Sequence, residues 1–198
     1  MNHYGEGSPD MRTRAMIGRL FVCATTIGTG AYGMTEPRSA PGAFPVSAPF
    51  SIDTEGKSIT IPFDVRQGEV DTKRRLMIAL DVPYGPTLPA VDDIRMNSRS
   101  MRVKIFYDDH GVRVPVETED DDTVIARNTN KPLPHSDMST CLLNLYGTLD
   151  DESHIAVCGF YAKRYGHYVA EVTTIEPLPA FKGIATTIRV DKFYNTGE

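Results

Sequence analysis

A chain of 198 residues, 40% hydrophobic and 24% charged, can bury one domain-sized core and still be soluble. Its net charge of −5, with no long Lys/Arg stripe, excludes generic nucleic-acid binding, because nothing offers counterion release on a phosphate backbone. Trp is absent, and 16 Gly with 14 Pro favour many turns over long helices.

The N-terminus reads as a leader. Arg12, Arg14 and Arg19 form a cationic segment, Leu20–Ile27 is uncharged and largely apolar, and Ala31-Tyr32-Gly33 approximates a signal-peptidase site. Basic, apolar and small in that order describe a secretory signal peptide over residues 1–33, with an apolar run too short to span a bilayer. The start codon is Met1 or Met11. Lipid anchoring at Cys23 is the alternative, weakened because Val22 stands where a small residue belongs and Arg19 leaves little apolar chain before the thiol. The expected location is the periplasm. Residues 34–49 are rich in Pro, Ala and Ser, lack periodicity and read as a linker before a domain at 50–194.

Strand-type alternation begins at Ser58–Val65, with Ile59, Ile61, Phe63 and Val65 on one face. Pro62 cannot donate to a ladder and suggests an edge strand or a bulge. The basic run Lys73-Arg74-Arg75 reads as a solvated strand edge and leads into Arg75–Val82, which alternates Leu76, Ile78, Leu80 and Val82. Pro89–Arg99 fits one short helix. Met101–Tyr107 and Val112–Val116 flank Asp108-Asp109-His110-Gly111, a turn sequence, and so form a hairpin. Thr123–Ala126 is a short strand candidate and Asn128–Asp137 a polar loop. Cys141–Thr148 and His154–Ala162 flank a second polar turn; Gly166–Ile175 and Ile184–Val190 complete the pattern. Such spacing points to an all-β fold, an antiparallel sandwich of seven or eight strands.

With the leader removed two cysteines remain, an even count that favours a disulfide in an exported chain. If 141–148 and 154–162 pair as a hairpin, Cys141 and Cys158 lie across from one another within bridging reach. Two free thiols in a reducing compartment are the alternative.

Ser58-Ile59-Thr60-Ile61-Pro62-Phe63-Asp64-Val65, the step Gly166-His167-Tyr168-Val169 and the loop Leu178-Pro179-Ala180-Phe181-Lys182-Gly183 carry a resemblance. The Gly166-x-Tyr168 step looks like the tyrosine corner of immunoglobulin-like sandwiches, in which the ring packs in the core and the hydroxyl bonds nearby backbone. Over about residues 50–193 the layout resembles an uncharacterised family of small exported proteins and lipoproteins of Gram-negative bacteria. The resemblance implies an immunoglobulin-like sandwich and no established activity. Such families often sit beside secreted antibacterial effectors, which implies an immunity role.

No motif marks catalysis. His3, His110, His135, His154 and His167 show no metal-ligand spacing with one another or with Cys, and no nucleophile elbow, phosphate loop, zinc-protease or dinucleotide fingerprint occurs. Ser139 and Ser153 lie near Asp and His without any sign of activation. The expectation is a non-enzyme without catalytic residue, metal or cofactor; a deep pocket placing His110, His135 or His154 beside a carboxylate would reopen the matter. Glu117, Glu119, Asp120, Asp121 and Asp122 form an acidic run, read as a solvated loop able to meet a basic patch on a protein partner. It lacks the ligand alternation of a calcium loop. Two functions follow as expectations: a periplasmic binding protein that neutralises a secreted effector by occlusion, or an envelope-associated accessory protein.

Overall fold

Two antiparallel sheets face each other around an apolar core, as seen in a computed structural model that describes residues 44–83, 88–133, 137, 139–149 and 152–192. The expected leader, Cys23 and most of the expected linker lie outside the described residues. In chain order the elements are β1 (Val46–Pro49), β2 (Ser58–Val65), β3 (Arg75–Pro83), α1 (Leu88–Asn97), β4 (Ser100–Asp109), β5 (Val112–Val116), β6 (Thr118–Glu119), α2 (Asp121–Asn128), β7 (Thr140–Leu142), β8 (Asn144–Leu149), β9 (Glu152–Tyr161), β10 (Gly166–Thr174) and β11 (Thr187–Lys192). The all-β sandwich is therefore correct. Among the described residues, eleven strands and two α-helices stand where seven or eight strands and one helix are expected, because short pieces such as β6 and β7 carry too few residues to show alternation.

One sheet runs β2-β10-β4-β5, with β7 also paired to β4; the other runs β1-β11-β3-β9-β6, with β8 also paired to β9. Pro62 sits in β2, an edge strand, where its missing N–H costs no central ladder bond. Val46–Pro49, assigned from composition to the linker, instead pairs with β11 from Val46↔Val190 to Pro49↔Thr187. Short, Pro-containing strands with mixed exposure leave little periodic signal.

The core is aromatic at its centre. Phe63 of β2 lies 5.9 Å from Phe160 of β9 in a T-shaped pair and stacks on Tyr168 of β10 at 5.5 Å. Leu76, Ile78 and Leu80 of β3 face them with Met101, Val103 and Ile105 of β4, all buried. The hairpin forms as expected. His110 (φ 55) and Gly111 (φ 89) both take the left-handed conformation of a type I′ turn, and Asp108 Oδ1 accepts the Gly111 N–H at 2.7 Å.

Thr123–Ala126 is helical, not a strand. Asp120 caps α2 by accepting the Thr123 N–H at 2.7 Å, and Asp121 and Asp122 place negative charge at the positive end of the helix dipole. These local terms outweigh the β preference of Thr123, Val124 and Ile125.

The disulfide between Cys141 and Cys158 is present, but it is not a cross-strand link in a hairpin. Cys141 belongs to β7, which pairs with β4 at Met101↔Cys141; Cys158 belongs to β9, paired with β3 at Ile78↔Cys158. The bridge therefore ties one sheet to the other, with Cα atoms 5.7 Å apart. The chain changes sheets at Leu143, so only Asn144 onward pairs with β9. A register shift between Ile78 and Ala79 leaves Val157 unpaired on β9. That bulge reverses the alternation, so Ile155 and Val157 before it and Cys158 and Phe160 after it all reach the core.

Helix α1 buries Ala90, Val91 and Ile94 in the core and is further held by charge. Arg99 donates to both carboxylate oxygens of Asp93, at 2.9 and 3.1 Å, and to Glu176 at 3.0 Å. Those hydrogen bonds from Arg99, joined by one from Asn97, hold the Asp93 carboxyl below the ordinary range despite partial burial.

Candidate functional site

The acidic run does not form a free loop. Asp120 is 2% exposed, and besides capping α2 it accepts the Leu142 N–H through Oδ2 at 2.7 Å. Glu119 pairs with Arg127 at 2.6 Å and Asp121 with Arg75 at 2.8 Å; Glu117 also reaches Arg127 at 2.8 Å. Three of the run's five carboxylates thus pair with two of the protein's own arginines, Asp120 is taken up by backbone N–H groups, and Asp122 is half-buried beside them. Charge runs in sequence carry no record of the cations that folding brings to them. Arg74 is 80% exposed as a solvated edge should be, but Arg75 is only 12% exposed. Its guanidinium crosses the backbone of Gly159, where a Cβ would lie 1.9 Å from Nε, and it also bonds the Glu119 carbonyl at 2.8 Å. An Asp120→Ala protein is expected to lose about 2 kcal/mol, since a cap disappears and a second, partly buried donor, Leu142 N–H, loses its acceptor. Urea denaturation of the variant checks this; a loss below about 0.5 kcal/mol would show the cap is dispensable.

The histidines are dispersed. His110 tops the hairpin, beside Asp109 at 2.9 Å, and is almost fully exposed. His167 does not simply project into solvent: its Nδ1 lies 3.1 Å from Asp64. Burial tends to raise the Asp64 carboxyl, but hydrogen bonds from Arg66 and His167 outweigh it and the net displacement is downward. His154 is buried beside Asp81 at 2.6 Å, with Arg189 bonding Asp81 and, at 3.0 Å, Asp191. This His–carboxylate pair sits on the outer face of its sheet as a cross-strand pair, not in a deep pocket. His3 and His135 lie outside the described residues. Among the described residues, no three His, Cys, Asp or Glu side chains are placed to hold a metal ion. Nor is any helix among them long and apolar enough to cross a membrane.

The most distinctive surface is one corner of the sandwich. Val112, Val114 and Val116 share the core-facing side of their sheet with Ile105 and Tyr107, their partners' positions across the hairpin. Ile105 is fully buried and Val116 packs on the core, but Val114 is 41% and Val112 65% exposed. The opposing sheet ends in β6, which supplies only Thr118 and Glu119 against Phe160 and Gly159. The β4–β5 hairpin therefore overhangs, and its apolar inner face is left uncovered. A recess of about 290 Å³ results, with Val114, Val116, Tyr107 and Tyr168 as apolar lining, and Tyr161, Lys163 and Arg164 from the end of β9 and the turn after it. Tyr161 and Tyr165, both exposed, lie on this same stretch of chain.

Tyr168 secures that corner. It is 1% exposed, its ring lies between Phe63 and Tyr107 at 5.5 and 5.2 Å, and its hydroxyl donates to the Arg164 carbonyl at 2.7 Å while accepting the Arg164 N–H at 3.3 Å. Burial pushes its phenol upward, so it remains the protonated donor this geometry needs. Gly166, at φ 143, begins the strand two residues earlier, with a Cβ position only 2.9 Å from the Tyr107 ring. Sequence reasoning found Gly166 and Tyr168 as a structural pair. It missed the recess, whose lining comes from β4, β5, β9 and the following turn; only the valine alternation of β5 opposite a short β6 could have hinted at it.

No family model matches this sequence, and no curated protein matches it. Among solved structures the chain is similar to a crystal structure of a protein from Sulfurospirillum deleyianum, at 9% identity and a TM-score of 0.47, over 79% of this chain and 100% of that one.

Proposed function

We propose that this chain is a non-enzymatic, exported binding protein that acts by occluding the surface of a protein partner, in the manner of an immunity protein facing a secreted effector. The observation that carries the reading is the uncovered apolar face of the β4–β5 hairpin, where two valines on the core side of the sheet remain largely exposed. Contiguous exposed apolar surface rimmed by polar groups marks interaction sites in soluble proteins. A disulfide across the sandwich supports the reading, because it stiffens the scaffold on which the face is presented and suits an oxidising compartment. This reading places the partner surface at the recess in preference to the acidic run, three of whose carboxylates are already paired with Arg75 and Arg127.

The test uses any secreted effectors encoded near the gene. A Val114→Asp protein places a charge in the recess at an exposed position, so its unfolding transition should match the unsubstituted protein. Capture of the effector and protection of cells should both fall by tenfold or more, roughly the effect of losing one interface anchor. Absence of a partner across the whole set, with no protection, would remove the proposal. Capture unaltered by Val114→Asp would move the interface elsewhere.

A further inference from the structure

The recess also states what kind of group it accepts, and this step rests on the binding reading above. An added β-strand is the obvious occupant of an edge such as β5, and the structure argues against it. The two-residue loop makes Asp109 and Val112 a hydrogen-bonded pair, and alternation from there turns the backbone of residues 113 and 115 toward the open edge. Position 115 is proline, which has no N–H to offer, so the ladder a visiting strand needs is interrupted at its centre. Recognition therefore falls to side chains entering the recess.

Charge bookkeeping narrows the occupant. Two carboxylates line the recess, and both are engaged: Glu117 with Arg127 at 2.8 Å, and Asp109 with Arg164 at 3.8 Å and with His110 at 2.9 Å. Lys163, exposed on the rim, has no ion pair among the described residues. The lining is thus apolar and aromatic, with Lys163 as its one charged side chain that has no ion pair among the described residues. The Arg164 guanidinium lies over the Tyr107 ring, 5.7 Å from its centroid, and gives a flat cationic surface beside the apolar lining. We infer that the recess takes an aromatic side chain with a carboxylate next to it, presented by a loop of the partner protein, the ring lodging against Val114, Tyr107 and Tyr161 and the carboxylate meeting Lys163. A recess of about 290 Å³ accommodates one large ring and part of its neighbour.

The experiment is an amide-resolved NMR titration of the full chain with three probes: N-acetylphenylalanine, N-acetylphenylalaninamide and acetate. N-acetylphenylalanine should move resonances of Tyr107, Val114, Tyr161 and Lys163, and acetate should not. The neutral amide should bind more weakly by roughly threefold, the size of one exposed charge contact. Lys163→Ala should bring the two phenylalanine probes level without changing the spectrum of the core. Equal binding of acid and amide to the unsubstituted protein would overturn the carboxylate assignment, and unmoved recess resonances with both would overturn the aromatic one. The second result, obtained while Val114→Asp still abolishes effector capture, would dismiss the anchor chemistry and leave the binding function standing. Failure to find an effector while the probes bind as described would do the reverse.

Discussion

Tyr168→Ala is expected to destabilise the protein by about 4 kcal/mol, with Tyr168→Phe losing only about 1 kcal/mol. The larger figure follows from removing one of the largest fully buried side chains from between Phe63 and Tyr107, which leaves a cavity that two sheets crossed by a disulfide cannot easily collapse. The smaller figure isolates the hydroxyl, which joins β10 to the turn before it through the Arg164 backbone. Paired urea titrations give both numbers. If the Phe variant lost as much as the Ala variant, the hydroxyl bond and not the ring would hold the corner. The Ala variant should also deform the recess, since Tyr168 is part of its lining.

Loss of the disulfide should cost about 3 kcal/mol, or roughly 10 °C of melting temperature for a domain of this size. The chain-entropy argument needs only the separation of 17 residues between Cys141 and Cys158. Here the closed loop also carries the crossing from one sheet to the other, so cutting the bond frees β7 from its restraint against β9. Thermal melts of the native protein with and without reductant, beside a Cys141→Ala, Cys158→Ala double variant, test this. Agreement between the reduced protein and the double variant assigns the loss to the bond itself. A melting temperature unchanged by either treatment would make the bridge structurally idle and remove one support for function in an oxidising space.

Much of the local structure was legible in the residues. Ser58–Val65 alternates and is β2; Arg75–Val82 alternates and is β3 but for one residue; Asp108-Asp109-His110-Gly111 announces its turn because His and Gly tolerate positive φ. Gly166 and Tyr168 announced the corner. The errors are of two kinds, a local signal left unweighed and contacts that only folding makes. Thr123–Ala126 looked like a strand because β-branched residues were weighed without the capping carboxylate of Asp120, three positions before the N–H it accepts. Glu117–Asp122 looked like a free acidic loop because Arg75 and Arg127, which answer it, are 46 and 10 residues away from their partners Asp121 and Glu117.

The cysteine pair shows the same division. That Cys141 and Cys158 join follows from their number and from the expected compartment, and needs no coordinates. Which strands they join depends on a bulge at Val157 and a change of sheet at Leu143, neither of which has a sequence signal. Alternation, turns and the tyrosine step were determined by the sequence alone, because each arises from the conformational preferences of residues a few positions apart. The partition of strands between sheets, the pairing of the acidic run with Arg75 and Arg127 and the uncovered face at the corner were decided only by tertiary structure. They depend on how far one sheet extends past the other and on which distant charges meet, and those are properties of the packed whole.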